Sequence, residues 1–282
     1  MNTDWVTLHG PAQASHPLVL DSPHSGDIYP PDFGAAAPHR ALREGEDGHV
    51  DALWQPATSR GLPLLAARFA RTYIDANRHA GDVDLALMAD GHWPDEHQPS
   101  ASQAIGKALI WRTLDNGLPI YDRPLTVDEV RGRIQRCHRP YHQALQRLLD
   151  DTHARFGVVY HLNCHSMDAV TGAMSAGQPG RPRPDMVLGD GDGSTCDPDF
   201  TAMVQGTLAS MGYRVVLNDP FKGHVLVHAY SRPAQGRHSL LLEVNKGLYQ
   251  DPHTLQPHAG FARLQADLLK LVDALIARYS RA

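Results

Sequence analysis

Cysteine is scarce: the chain has three, Cys137, Cys164 and Cys196. They are odd in number, widely spaced and form no Cys-x-x-Cys pair, which argues against a disulfide framework or a cysteine-held structural zinc and fits a reducing compartment. No stretch approaches the roughly 18 consecutive apolar residues of a membrane span. Met1 to Pro17 has no positive segment ahead of an apolar core, so no signal peptide is expected. A basic excess is missing too: 26 Lys and Arg against 31 Asp and Glu give a net charge of −5. The basic residues are dispersed, which excludes a nucleic-acid footprint. The Gly-x-Ser-x-Gly elbow of a serine hydrolase is absent around Ser25. The glycine-rich run Gly189-Asp190-Gly191-Asp192-Gly193 lacks both a Gly-Lys-Ser/Thr ending and dinucleotide spacing, so nucleotide binding is not expected there. Neither internal repeats nor linkers interrupt the 282 residues. The expectation is one cytoplasmic catalytic domain over 1–282, with no nucleic-acid or membrane partner.

What is present is a set of apolar runs that stop at polar clusters. Val158 to Leu162 favours a half-buried strand, and it runs into Asn163, His165 and Ser166. Pro17 to Ser22 reads as a first strand and exits into Pro23-His24-Ser25-Gly26. In open α/β sheets, ligands bind beyond the carboxyl ends of strands, so both His-Ser exits are candidate sites. Leu62 to Ile74 holds two short apolar runs and Arg71, a charge that needs a partner there. Asp75-Ala76-Asn77-Arg78 follows, at what reads as a strand end. Ser239 to Val244 is another strand, with Glu243 in its apolar run. A carboxylate buried there is raised toward the pKa of a general base at neutral pH.

The spacing of Val50, Leu53 and Trp54 predicts a helix running to about Arg60, with Glu44, Glu46 and Asp47 making an acidic first turn. A second helix is expected from the capping box Thr126-x-x-Glu129 to about Arg155, kinked or split at Pro140. Further helices are expected over Asp199–Met211 and Pro257–Arg278, and strands at Met186–Leu188 and Tyr213–Leu217. Residues 81–124 read as a long excursion forming a rim or lid, with short strands such as Ala108–Trp111. Gly172–Pro184 reads as a Gly/Pro-rich loop.

Two histidines and a carboxylate leave one position open on a catalytic zinc, which lowers the pKa of a bound water to about 7. His24 and His165 supply the histidines. The acidic helix start offers Asp47, Glu46 or the nearby His49 as the third ligand, and spacing does not choose among them. Glu243 then serves as general base, Arg71 stabilises the oxyanion, and Asn77 with Arg78 grips a substrate carboxylate. The chemistry is metal-assisted hydrolysis of an amide in an acidic substrate.

Pro23-His24-Ser25-Gly26, Glu46-Asp47, Arg71 through Asp75-Ala76-Asn77-Arg78, His165-Ser166-Met167 and Glu243-Val244-Asn245 occur in the order seen in N-formylglutamate amidohydrolases. Asn218-x-Pro220-Phe221-Lys222-Gly223 and Gly247-Leu248-Tyr249 are similar as well, so the resemblance runs from about Leu18 to Tyr249. It implies an α/β fold like that of zinc carboxypeptidases and aspartoacylase-type deacylases: a mixed central sheet with helices on both faces. It also implies one Zn2+ per chain held by His24, Asp47 and His165, with Glu243 as base. Arg71 then matches the oxyanion arginine, and Asn77-Arg78 the carboxylate-binding pair. The wide separation of His24 from Asp47 departs from the compact His-x-x-Glu of the deacylases. The implied reaction removes formate from N-formyl-L-glutamate in histidine degradation. Alternatives are hydrolysis of another N-acyl amino acid or small carboxylate-bearing peptide, a thiol hydrolase using Cys164, and a non-enzymatic binder of acidic metabolites. Adjacent strand residues face opposite ways, which separates Cys164 from His165.

Overall fold

The computed structural model describes residues 5–173 and 179–280; part of the Gly172–Pro184 loop lies outside them. The elements in chain order are β1 (Val6–His9), β2 (Leu18–Ser22), α1 (His39–Arg43), α2 (Val50–Trp54), β3 (Leu64–Ala67), α3 (Val127–Arg133), α4 (Arg139–Phe156), β4 (Val159–Met167), β5 (Met186–Gly189), α5 (Pro198–Ser210), β6 (Val215–Leu217), α6 (Val225–Tyr230), β7 (Arg237–Asn245) and α7 (Gly260–Tyr279). Seven strands form one mixed sheet in the order β1-β3-β2-β4-β7-β5-β6. Its centre, β3-β2-β4-β7, is parallel. β1 and β5 run antiparallel to their inner neighbours β3 and β7.

Parallel strands covered on both sides read as near-continuous apolar runs, and alternate residues serve opposite cores. Val19 and Leu65 pack on one face with Tyr141, Ala144, Leu145, Leu148 and Leu149 of α4. Leu18, Leu20, Leu64 and Leu162 pack on the other face with α2, α5 and α7. The mixed α/β architecture is as expected. The capping box at Thr126 and Glu129 starts α3. The expected break at Pro140 takes the form of a π-helical turn, Ile134–His138, which sets Pro140 in the first turn of α4, where its missing N–H costs nothing. Gly157, at φ +74°, ends α4 in the left-handed conformation and turns the chain into β4.

Four expectations need correction. Ala108–Trp111 is not a strand; it is a buried bend held by an isolated bridge from Lys107 to Trp111. Asp75–Arg78 is not at a strand end, because β3 stops at Ala67 and turns follow. Glu46 and Asp47 precede α2, whose first turn contains only Asp51, and the helix gives way to a 3-10 turn at Gln55. His165 lies within β4, two residues before its end. β1 and α6 carry no periodicity strong enough to read from sequence, being four and six residues long.

Candidate metal centre and active site

β2, β4 and β7 are parallel and meet in the sheet order β2-β4-β7, so their carboxyl ends share one edge. His24 lies just past β2. His165 sits on β4 directly opposite Glu243 on β7. Asp47 is brought in by the segment between α1 and α2, where its N–H donates to the carbonyl of His24 at 3.0 Å.

His24 Nδ1 lies 3.3 Å and His165 Nδ1 2.9 Å from the same Asp47 oxygen, Oδ2. One ligand atom from each of the three side chains fits within 4.8 Å of the others, and the side chains are only 1–3% exposed. This buried set of two imidazoles and a carboxylate suits zinc. Of the three acidic-end candidates, only Asp47 reaches the histidines. Glu46 is taken by the Tyr29 hydroxyl and Arg43, and His49 bonds the Leu255 carbonyl at 3.0 Å.

The far side of each imidazole is also fixed. His24 Nε2–H donates to Asp75 Oδ1 at 2.7 Å, and His165 Nε2–H to Asn163 Oδ1 at 2.8 Å. Each bond leaves Nδ1 turned toward Asp47 and able to serve as a ligand atom, the orientation that partners behind metal histidines impose. Asn163 Nδ2 donates in turn to Asp21 Oδ1 at 2.8 Å. Asp21 also accepts from His161 Nε2 at 2.8 Å and the Tyr141 hydroxyl at 2.7 Å. Burial alone would raise the Asp21 carboxyl; His161 and these hydrogen bonds lower it below its ordinary value. Burial likewise opposes ionisation of Asp47 and Asp75. The Arg71 charge and the histidine contacts outweigh it and hold both well below the usual carboxylate range.

Arg71 bridges the two acids, donating from one Nη to Asp47 Oδ1 at 3.3 Å and from the other to Asp75 Oδ2 at 3.1 Å. Its guanidinium lies 4.7 Å from the Trp111 ring centroid, and Trp111 Nε1 donates to Asp75. The 81–124 excursion therefore builds a wall behind the site. Asn77 Oδ1 is held by the Leu226 N–H at 2.9 Å, which turns its Nδ2 toward His165 at 3.3 Å. Because His165 Nε2 is already a donor to Asn163, this Asn77 amide keeps hydrogens for an incoming acceptor. Arg78 is buried, with Nε on the Lys107 carbonyl and Nη1 on the Asn77 carbonyl. Burial lowers its pKa, opposed by Asp75. Glu243 is buried with Oε2 unpartnered. Burial pushes its carboxyl up to about 7; Asp47 adds to the rise, while His165, Arg71 and Lys246 oppose it.

All seven predicted residues thus gather at one edge of the sheet. Asp75, Trp111, Asn163 and Asp21 carried no assignment in the sequence. Asp21 shared the signal that marked Glu243, a carboxylate inside an apolar strand. Cys164 points away from His165 into the opposite core, its thiol on the Leu162 carbonyl, and burial raises it well above an ordinary thiol. A thiolate nucleophile does not fit that position. Ser25 Oγ pairs with Ser22 and accepts the Asp51 N–H, so it has no base to activate it.

Residues 16–250 match the family model for N-formylglutamate amidohydrolase. The chain belongs to this family. The N-formylglutamate deformylase of Pseudomonas aeruginosa is 30% identical over 266 residues, covering 92% of this chain and 90% of that one. The deformylase of Pseudomonas putida is 29% identical, covering 95% and 97%. The crystal structure of N-formylglutamate amidohydrolase from Ralstonia eutropha superposes with a TM-score of 0.91 at 45% identity, covering 99% of both chains. Like the relatives so named, this member of the N-formylglutamate amidohydrolase family is a hydrolase acting on an amide. Among the described residues, no helix is long and apolar enough to cross a membrane.

Proposed function

We propose that the protein hydrolyses N-formyl-L-glutamate to L-glutamate and formate with one Zn2+ held by His24, Asp47 and His165. The observation that carries the reading is the convergence of both Nδ1 atoms on Asp47 with the unpartnered Glu243 carboxylate across the strand pair. When bound, the dication supplies Lewis-acid chemistry, polarising a carbonyl and acidifying water. Glu243 takes a proton from the attacking water as its oxygen bonds to the formyl carbon, and returns that proton to the amide nitrogen as the C–N bond breaks. A cation beside Glu243 draws it toward the ionised form this step needs. Arg71 faces the same centre and donates to the oxygen on which negative charge develops. Asn77 Nδ2 and the remaining Arg78 donors bind a substrate carboxylate. Glutamate and formate as products fit the end of a histidine-degradation route. The chain is read as one catalytic domain over 1–282, and its three free, buried cysteines suit the cytoplasm.

Formate release from N-formyl-L-glutamate is measured before chelation, after it, and after stoichiometric zinc is restored. Turnover should vanish and return, with one zinc bound per chain. Full turnover by chelated protein would remove the metal from the mechanism.

A further inference from the structure

We propose that Lys246 binds the side-chain carboxylate of the substrate, and that Asp168 occupies this place until substrate arrives. The proposal rests on the deformylase reading, because it concerns a second carboxylate on the molecule held at the metal centre. Lys246 immediately follows β7 and Asp168 immediately follows β4, whose last residues, Asn245 and Met167, are paired in register. The two charges therefore sit at the same sheet edge as Glu243 and His165. Lys246 Nζ lies 2.9 Å from Asp168 Oδ1 and 3.5 Å from the Glu44 carbonyl. Its ammonium acts electrostatically on Glu243 and feels Asp47 and Arg71, so it stands within Coulomb reach of the reacting centre.

The other cations near the triad are not open to a second carboxylate. Arg71 is tied to Asp47 and Asp75. Arg78 is anchored by two backbone carbonyls beside Asn77. Lys107 is sealed over the Trp111 ring at 3.5 Å and paired with Asp115. Lys246 differs in combining the two features that Arg71 and Lys107 have singly: its side chain retains 16% exposure, as that of Arg71 does, and its partner Asp168 is 49% exposed, whereas the partners of Arg71 are buried, so that carboxylate can swing into water at little cost. A substrate carboxylate can then take its place on the same ammonium. The α-carboxylate of an N-formyl amino acid lies two bonds from the amide nitrogen and must stay by the buried triad, where Asn77 touches His165. The side-chain carboxylate has a longer arm, which matches a flexible lysine at the rim.

The test compares N-formyl-L-glutamate with N-formyl-L-glutamine, in which a neutral amide replaces the side-chain carboxylate. Lys246→Met keeps the stem and removes the charge. A charged hydrogen bond of this kind is worth roughly ten- to a hundred-fold, so kcat/KM for the glutamate substrate should fall by that factor, chiefly through KM. The glutamine substrate should change less than about three-fold, with zinc content intact. Asp168→Asn removes the competing carboxylate and should lower KM for the glutamate substrate alone. Calorimetry with glutarate and its monoamide gives a readout independent of turnover: the Met variant should lose affinity for glutarate and keep it for the monoamide. Equal losses for both members of either pair, or none, would overturn the assignment. Wild-type protein that binds glutarate through Lys246 yet releases no formate would overturn the deformylase reading and leave the carboxylate site standing.

Discussion

Glu243 carries a buried oxygen with no hydrogen-bond partner opposite His165, and its burial and its proposed basicity separate experimentally. Glu243→Gln keeps the shape and removes the proton acceptor. General acid–base catalysis contributes typically about 10²–10⁴-fold, so turnover should drop by that order while zinc per chain stays at wild type. Loss of zinc in this variant would make Glu243 a ligand instead. The same substitution changes stability in the metal-free protein with a definite sign. The folded-state carboxyl is raised from 4.5 to about 7, so the folded chain holds this proton more tightly than the unfolded one. Its ionisation therefore costs stability as pH rises from about 4.5 through 7, and costs nothing below that window. Metal-free Glu243→Gln should melt above metal-free wild type at pH 8, by on the order of a few degrees, and the gap should close at pH 4. A gap independent of pH would mean the carboxyl is not perturbed.

At the level of elements, the site hangs on three adjacent parallel strands joined through side chains as well as backbone. Asp21 of β2 receives His161 and Asn163 of β4, His161 accepts from Ser239 of β7 at 2.7 Å, and Asn163 passes the constraint to His165. A fully satisfied buried network specifies one arrangement, and a partly broken one is costly. Asp21→Asn would set an amide donor against existing donors. We expect a loss of about 1.5–3 kcal/mol in urea unfolding and a roughly 10- to 100-fold fall in zinc affinity by chelator competition. Unchanged zinc affinity in a destabilised variant would confine Asp21 to packing. The split of α3 from α4 belongs to this scale too. Pro140 predicted a break, but the π turn with His138 on the Arg78 carbonyl depends on a partner sixty residues away.

For the molecule as a whole, a ligand bound only by the folded state stabilises it by mass action, about 2.7 kcal/mol at a hundred times its dissociation constant. Differential scanning calorimetry should show Tm falling on chelation and rising with zinc concentration. A Tm indifferent to zinc would leave the His-Asp-His cluster structural. Much of this architecture was legible along the chain. Apolar runs that end in His-Ser, a carboxylate inside an apolar strand, and the order of the short motifs are local properties, and burial cost makes a charge in such a run conspicuous wherever it is read. Those features were enough to place His24, His165, Glu243, Arg71 and the Asn77-Arg78 pair in one site. Spacing did not choose Asp47 over Glu46 and His49, and only the family resemblance pointed to it, because the three lie within four residues and differ only in which way the irregular segment after α1 aims them. The wall from Lys107 to Trp111, the anchoring of Arg78 by backbone carbonyls, and the Asp21 network likewise join residues many positions apart. Periodicity and propensity report what each segment buries, whereas partners across the sheet are set by register and by the folding of loops over one another. That is why the candidate residues could be picked out along the chain and their mutual geometry could not.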